Sequence, residues 1–136
     1  MSPSFKTALA WLFRLIAAVI MLQTLFFKFT ASPESVYIFS ELGMEPWGRI
    51  GTGVMEVIAS LLILIPRTTA MGALLAVGLM TGAILSHVLF LGISVQGDGG
   101  QLFIYALLVF ICSLILLIWY RRQLFALIPG HQGTAN

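Results

Sequence analysis

The chain has 136 residues, 60% of them hydrophobic and only 9% charged, with a mean hydropathy of +1.04. A water-soluble domain needs about a quarter of its residues charged to cover its surface, so the composition excludes one. The net charge of +2 comes from seven dispersed Lys and Arg residues, which form no basic stripe for a nucleic-acid backbone to follow. The single cysteine, Cys112, lies inside an apolar run and excludes both a disulfide framework and a CxxC redox pair.

The apolar residues fall in four long blocks, the pattern of membrane spans rather than of a soluble core. They predict an all-α fold: one membrane domain over residues 1–136, built as a four-transmembrane-helix bundle. The spans are Ala8–Phe29, Gly48–Ile65, Thr69–Leu91 and Gln101–Tyr120. At about 1.5 Å per residue each reaches about 27–35 Å, enough for the hydrocarbon core of a bilayer.

The first span is preceded by Lys6 and followed by the small residues Thr30, Ala31 and Ser32, as a cleaved leader would be. Arg14 interrupts the run, and the run exceeds the about 7–15 apolar residues of a leader, so it is read as a retained span. After it, Ser32, Pro33 and Glu34 read as an N-cap, an N1 proline and a first-turn acid, with Gly43 as the stop. This predicts a short surface helix in the first outer loop, laid on the membrane through Val36, Tyr37, Phe39 and Leu42. Glu45-Pro46-Trp47 restarts a helix with Trp47 at interface depth. Pro66-Arg67-Thr68-Thr69 is a tight turn, which makes spans two and three an antiparallel hairpin. Gly97-Asp98-Gly99-Gly100 makes the loop Gly92–Gly100 a flexible turn.

Orientation follows from the sidedness of Lys and Arg. Lys6, Arg67, Arg121 and Arg122 share one side, with Arg14 near it. Lys28 and Arg49 lie at the other, together with Glu34, Glu41, Glu45 and Asp98. The expected topology therefore has the N and C termini cytoplasmic.

Ionisable groups within a bilayer cost about 2.5–3.5 kcal/mol each on insertion scales, so Arg14, Lys28, Glu56 and His87 each require a reason. Lys28, Gln23, Glu56 and His87 fall in the outer half of three different spans, and Arg49 and Thr52 share the helical face of Glu56. These six residues are the candidates for a polar ligand pocket. Glu56 admits three readings: a helix lock formed with Lys28 or Arg49, a pocket for a ligand, ion or proton, or contact with lipid headgroups. His87 reads as an interhelical hydrogen-bond partner or as a ligand-binding group. It cannot form a bis-histidine haem site, because the other histidine, His131, lies in the tail on the opposite side. No metal cluster is visible. Arg14 is expected to snorkel to the cytoplasmic headgroups.

Gly78, Gly82 and Ser86 form a small-xxx-small stripe for helix packing, with a partner either in the same chain or in another. No phosphate-binding Gly-rich loop, nucleophile elbow or Ser/His/Asp set is present. The residues show no catalytic constellation.

In order along the chain come Lys28-Phe29-Thr30, Phe39 and Leu42-Gly43-Met44-Glu45-Pro46-Trp47. Gly53, Glu56, Leu64-Ile65-Pro66-Arg67 and Gly82-Ala83-Ile84-Leu85-Ser86-His87 follow. In this order and spacing the chain resembles the DoxX-like family of small four-helix bacterial membrane proteins, over nearly half its length. The one departure is an extra residue, Met44 or Glu45, where the family's "LGxPxW" stretch has an aromatic. The resemblance carries over Lys28, Glu56 and His87 as the family's polar positions. It implies residence in a bacterial inner membrane and an accessory role in a quinone-linked redox or stress-response system, with quinone as the cofactor it admits. An assembly factor for other membrane proteins and a small proton-coupled transporter are the alternatives. The bilayer is the expected surrounding, and a membrane-protein partner or a second copy the expected contact.

Overall fold

The structure, a computed structural model, describes residues 2–128, so His131 lies outside the described residues. Six α-helices follow one another, α1 (Pro3–Phe29), α2 (Pro33–Glu41), α3 (Trp47–Leu64), α4 (Thr69–Ser86), α5 (Gln101–Trp119) and α6 (Arg121–Phe125). A 3₁₀ turn at Pro66–Thr68 joins α3 to α4, and a π-helical turn at His87–Leu91 extends α4. Four helical stretches, Pro3–Phe29, Trp47–Leu64, Pro66–Leu91 and Gln101–Trp119, are long and apolar enough to cross a membrane. They agree with the predicted spans except that α1 starts five residues early. Its signal lies outside the apolar run: Ser2 Oγ accepts from Phe5 N at 3.2 Å, and Pro3 occupies the first turn.

The four long helices close into a ring. α1 packs against α3 and α5, and α4 packs against the same two, so consecutive spans are neighbours running in opposite directions. Small residues permit this. Ala10, Ala17, Ala59, Ala73 and Ala76 are fully buried at the crossings, where membrane helices gain from close van der Waals contact rather than from the hydrophobic effect. The tightest approach is at Gly72, where an added Cβ would lie 2.6 Å from Ile63 N and 2.8 Å from Ala59 O. The stripe singled out from sequence does not serve this purpose. Gly78 and Gly82 are exposed, and a Cβ on either would meet nothing within 4 Å.

One end of the ring is fastened by the last short helix. Gln123 donates from Nε2 to the Pro66 carbonyl at 2.7 Å and accepts from Ala70 N at 3.0 Å. Arg14 differs from the snorkelling expectation. It is 3% exposed, and its guanidinium lies 4.5 Å from the Trp11 ring centroid and 5.0 Å from that of Tyr120. Two aromatic faces of the protein, the exposed Trp11 and the half-buried Tyr120, take the place of the lipid headgroups, an arrangement worth about 2 kcal/mol when desolvated.

At the opposite end the chain builds a cap. α2 forms as its signals predict: Ser32 Oγ accepts from Ser35 N at 3.3 Å, and Gly43 ends the turn with φ +71°. Its apolar face differs from the expectation. Phe39 turns inward to 8% exposure, because Gly48 at the start of α3 leaves room beside its ring, and α2 packs on α1, α3 and the π turn. Tyr37 remains on the outside.

Candidate functional site

Beneath that cap, helices α1 to α5 enclose a cavity of about 610 Å³, within the range of pockets that hold drug-sized ligands. From His87 and Gln101 near its mouth the lining runs to Gly78 on α4 and Val109 on α5. That is about 12–14 Å along the helices, roughly half the thickness of a bilayer core. Most of the wall is apolar, including Ile20, Phe27, Leu79 and Val109.

The polar groups come from every helix that lines it, α1 to α5, and from the π turn. Lys28, in the last turn of α1, donates from Nζ to Glu56 Oε2 at 3.0 Å and to Thr24 Oγ1 at 3.3 Å. Glu56, two turns into α3, is 5% exposed. Sequence left Glu56 a choice between Lys28 and Arg49, and the geometry selects Lys28. Arg49 is engaged elsewhere, with Nε 2.8 Å from Glu45 Oε1 and Nη1 donating to the Lys28 carbonyl. That carbonyl belongs to the end of α1, where the helix has no acceptor-satisfying partner of its own. Arg49 therefore ties the start of α3 to the end of α1 and stands outside the cavity wall.

His87 is 5% exposed and opens the π turn. Its Nδ1 lies 3.0 Å from the Gly92 carbonyl. A carbonyl only accepts, so Nδ1 carries a proton, and Nε2 is the ring nitrogen left to bond elsewhere. The bond is made within its own segment, not across helices as the sequence suggested. The other ring face packs edge-on against Phe103 at 5.6 Å. No other hydrogen bond reaches the ring among the described residues, and His87 lines the cavity. π-helical turns of this kind recur at functional sites. Gln23 and Thr52 also line the cavity, Thr52 with its hydroxyl donating to the Gly48 carbonyl. Gly78, Gly82 and Ser86 form part of the wall on α4. Among the described residues, no cluster of three or more His, Cys, Asp or Glu side chains can hold a metal ion.

Sequence reasoning missed Thr24, Glu34 and Tyr105. Thr24 sits one turn before Lys28, a spacing that marks it in retrospect. Tyr105, with its hydroxyl 2.8 Å from Gln101 Nε2, enters only because α5 closes the ring between α1 and α4 and turns this face to the cavity. Glu34 enters because α2 folds over the mouth.

Near Glu34 and His87 the loop before α5 is ordered around a carboxylate. Asp98 accepts from Val95 N at 2.9 Å, Gly100 N at 2.8 Å and Leu102 N at 3.2 Å, which caps the start of α5. Burial alone would raise the Asp98 carboxyl, but these three N–H groups, with His87 nearby, outweigh it and hold it below the usual aspartate range. Partial burial, and then the Asp98 charge, hold Glu34 above the usual glutamate range. A depressed carboxyl stabilises the fold fully above its unfolded pKa of about 3.9 and loses that contribution as pH falls through the folded value. The thermal midpoint of Asp98→Ala should therefore sit below that of the unsubstituted protein by a constant margin at neutral pH. The margin should shrink below about pH 4; one that widens in acid contradicts the assignment.

A sequence model of the DoxX-like family matches residues 12–116. No curated protein and no solved structure matches the chain.

Proposed function

Because the chain belongs to the DoxX-like family, and is a multi-pass membrane protein of four apolar helices, we propose that it binds a lipophilic molecule with a hydrogen-bonding head in the cavity beneath α2. In this reading it is an accessory subunit of a quinone-linked redox or stress-response system of the bacterial inner membrane. With both termini cytoplasmic, the cavity occupies the half of the bilayer away from the cytoplasm.

One observation carries the reading: Lys28, Glu56 and His87 line the wall of a single, mostly apolar cavity. A quinone head fits that donor set. The Lys28 ammonium has three N–H donors, of which Glu56 and Thr24 engage two, and the remaining one can donate to a ring carbonyl. His87 Nε2 can accept from a reduced ring hydroxyl. A bound quinone would supply reversible electron and proton uptake. The protein's own part is to orient the ring, exclude water behind α2 and offer a proton acceptor at His87. Pairing with Lys28 also leaves Glu56 less suited to the free carboxylate that a proton-coupled exporter requires.

Titration of the purified protein with a quinone, followed by calorimetry, tests the reading. His87→Leu, which spares the Lys28–Glu56 pair, should weaken binding about tenfold or more, the worth of one hydrogen bond to a buried group. Equal affinity for both proteins, or none for either, overturns it.

A further inference from the structure

A second groove, of about 510 Å³, runs along the outside of α4 and is lined by Met71, Leu74, Leu75, Leu124 and Leu127, together with Gly78 and Leu79. Gly78 and Leu79 also line the cavity beneath α2, so the two spaces share these two residues of their walls. Along α4 the shared path falls on one helical face, at spacings of three and four residues from Met71 through Gly78 and Gly82 to Ser86. From Met71 to His87 it measures about 24 Å. One end presents a buried histidine held through Nδ1, whose Nε2 makes no hydrogen bond among the described residues, and the other end presents only hydrocarbon.

We infer that the two spaces form one track for an amphiphile with a single long apolar tail, its head at Lys28 and His87 and its tail lying over Gly82 and Gly78 along α4. The inference rests on the head-binding reading above and adds the class of ligand: a quinone carrying a polyprenyl or alkyl chain rather than a small tailless molecule. The two glycines explain why the track is open. A bulky side chain at either position would project into the path, and a Cβ at either meets nothing within 4 Å among the described residues. This accounts for a small-residue stripe whose glycines meet no other helix among the described residues.

The test uses two probes with the same benzoquinone ring, one bearing a decyl chain and one a methyl group in its place. Each is titrated into the unsubstituted protein, Gly78→Phe and Gly82→Phe. Gly51→Phe is the control, because Gly51 is equally unobstructed but lies outside both spaces. The decyl compound should bind Gly78→Phe and Gly82→Phe at least tenfold more weakly, with the methyl compound unaffected and Gly51→Phe normal for both. Unchanged thermal midpoints show that the variants fold. Equal binding of the decyl compound to all four proteins overturns the track while leaving the head site standing. Failure of both compounds to bind the unsubstituted protein removes the head site and the track with it. A phospholipid retained along α4 in place of the quinone tail also overturns the assignment.

Discussion

Lys28→Met alone is expected to destabilise the protein by about 3 kcal/mol, the lower end of the range for stranding one partner of a buried ion pair. Glu56 is 5% exposed and its carboxylate is bonded by Lys28 at 3.0 Å. The Lys28 side chain is 16% exposed, which places the loss at the low end rather than the high one. Arg49 cannot step in, because Glu45 and the Lys28 carbonyl already hold it. Replacing both partners, Lys28→Met with Glu56→Leu, should recover most of the loss, since two apolar side chains leave no charge stranded. Unfolding in mixed micelles measures both variants. A single variant as stable as the double would show that the pair does not join α1 to α3.

Gly72→Leu should cost about 3 kcal/mol, the upper part of the range for overpacking, and for a different reason. The atoms that a new side chain would meet first, Ile63 N at 2.6 Å and Ala59 O at 2.8 Å, belong to the backbone of α3. They cannot rotate away, so α3 and α4 must separate. Gly78→Leu is the comparison. It adds the same side chain to the same helix where nothing lies within 4 Å, and its effect should stay within about 0.5 kcal/mol. Thermal unfolding of the two variants distinguishes them, and equal losses would contradict the crossing at Gly72.

That contrast also shows where the sequence is readable. The spans are legible because hydropathy reports the bilayer directly, and the start of α2 and the turn after α3 are legible because Ser32-Pro33 and Pro66 act locally. Which glycine mediates close packing is not legible. Gly78 and Gly82 form the familiar spacing, whereas Gly72 stands outside it, and only the rotation of α4 against α3 separates them. The same unknown hid the partner of Glu56: Arg49 and Lys28 both fall within reach until the helix faces are fixed. The place of Arg14 is not legible because one aromatic partner, Trp11, is near in sequence and the other, Tyr120, follows α5 far along the chain. The candidate polar residues Lys28, Glu56, His87, Gln23 and Thr52 do share one cavity, because their depths along the spans could be counted from the sequence.

The central claim is that this cavity holds a lipophilic molecule. Mass spectrometry of the gently solubilised, purified protein tests it most directly, reading co-purifying small molecules and proteins in one spectrum. The account predicts stoichiometric quinone in the unsubstituted protein and its loss from His87→Leu, with the fold unchanged. A protein that carries no small molecule but a constant protein partner would contradict it. Lys28 and Glu56 would then be a lock between helices, and the protein an assembly factor.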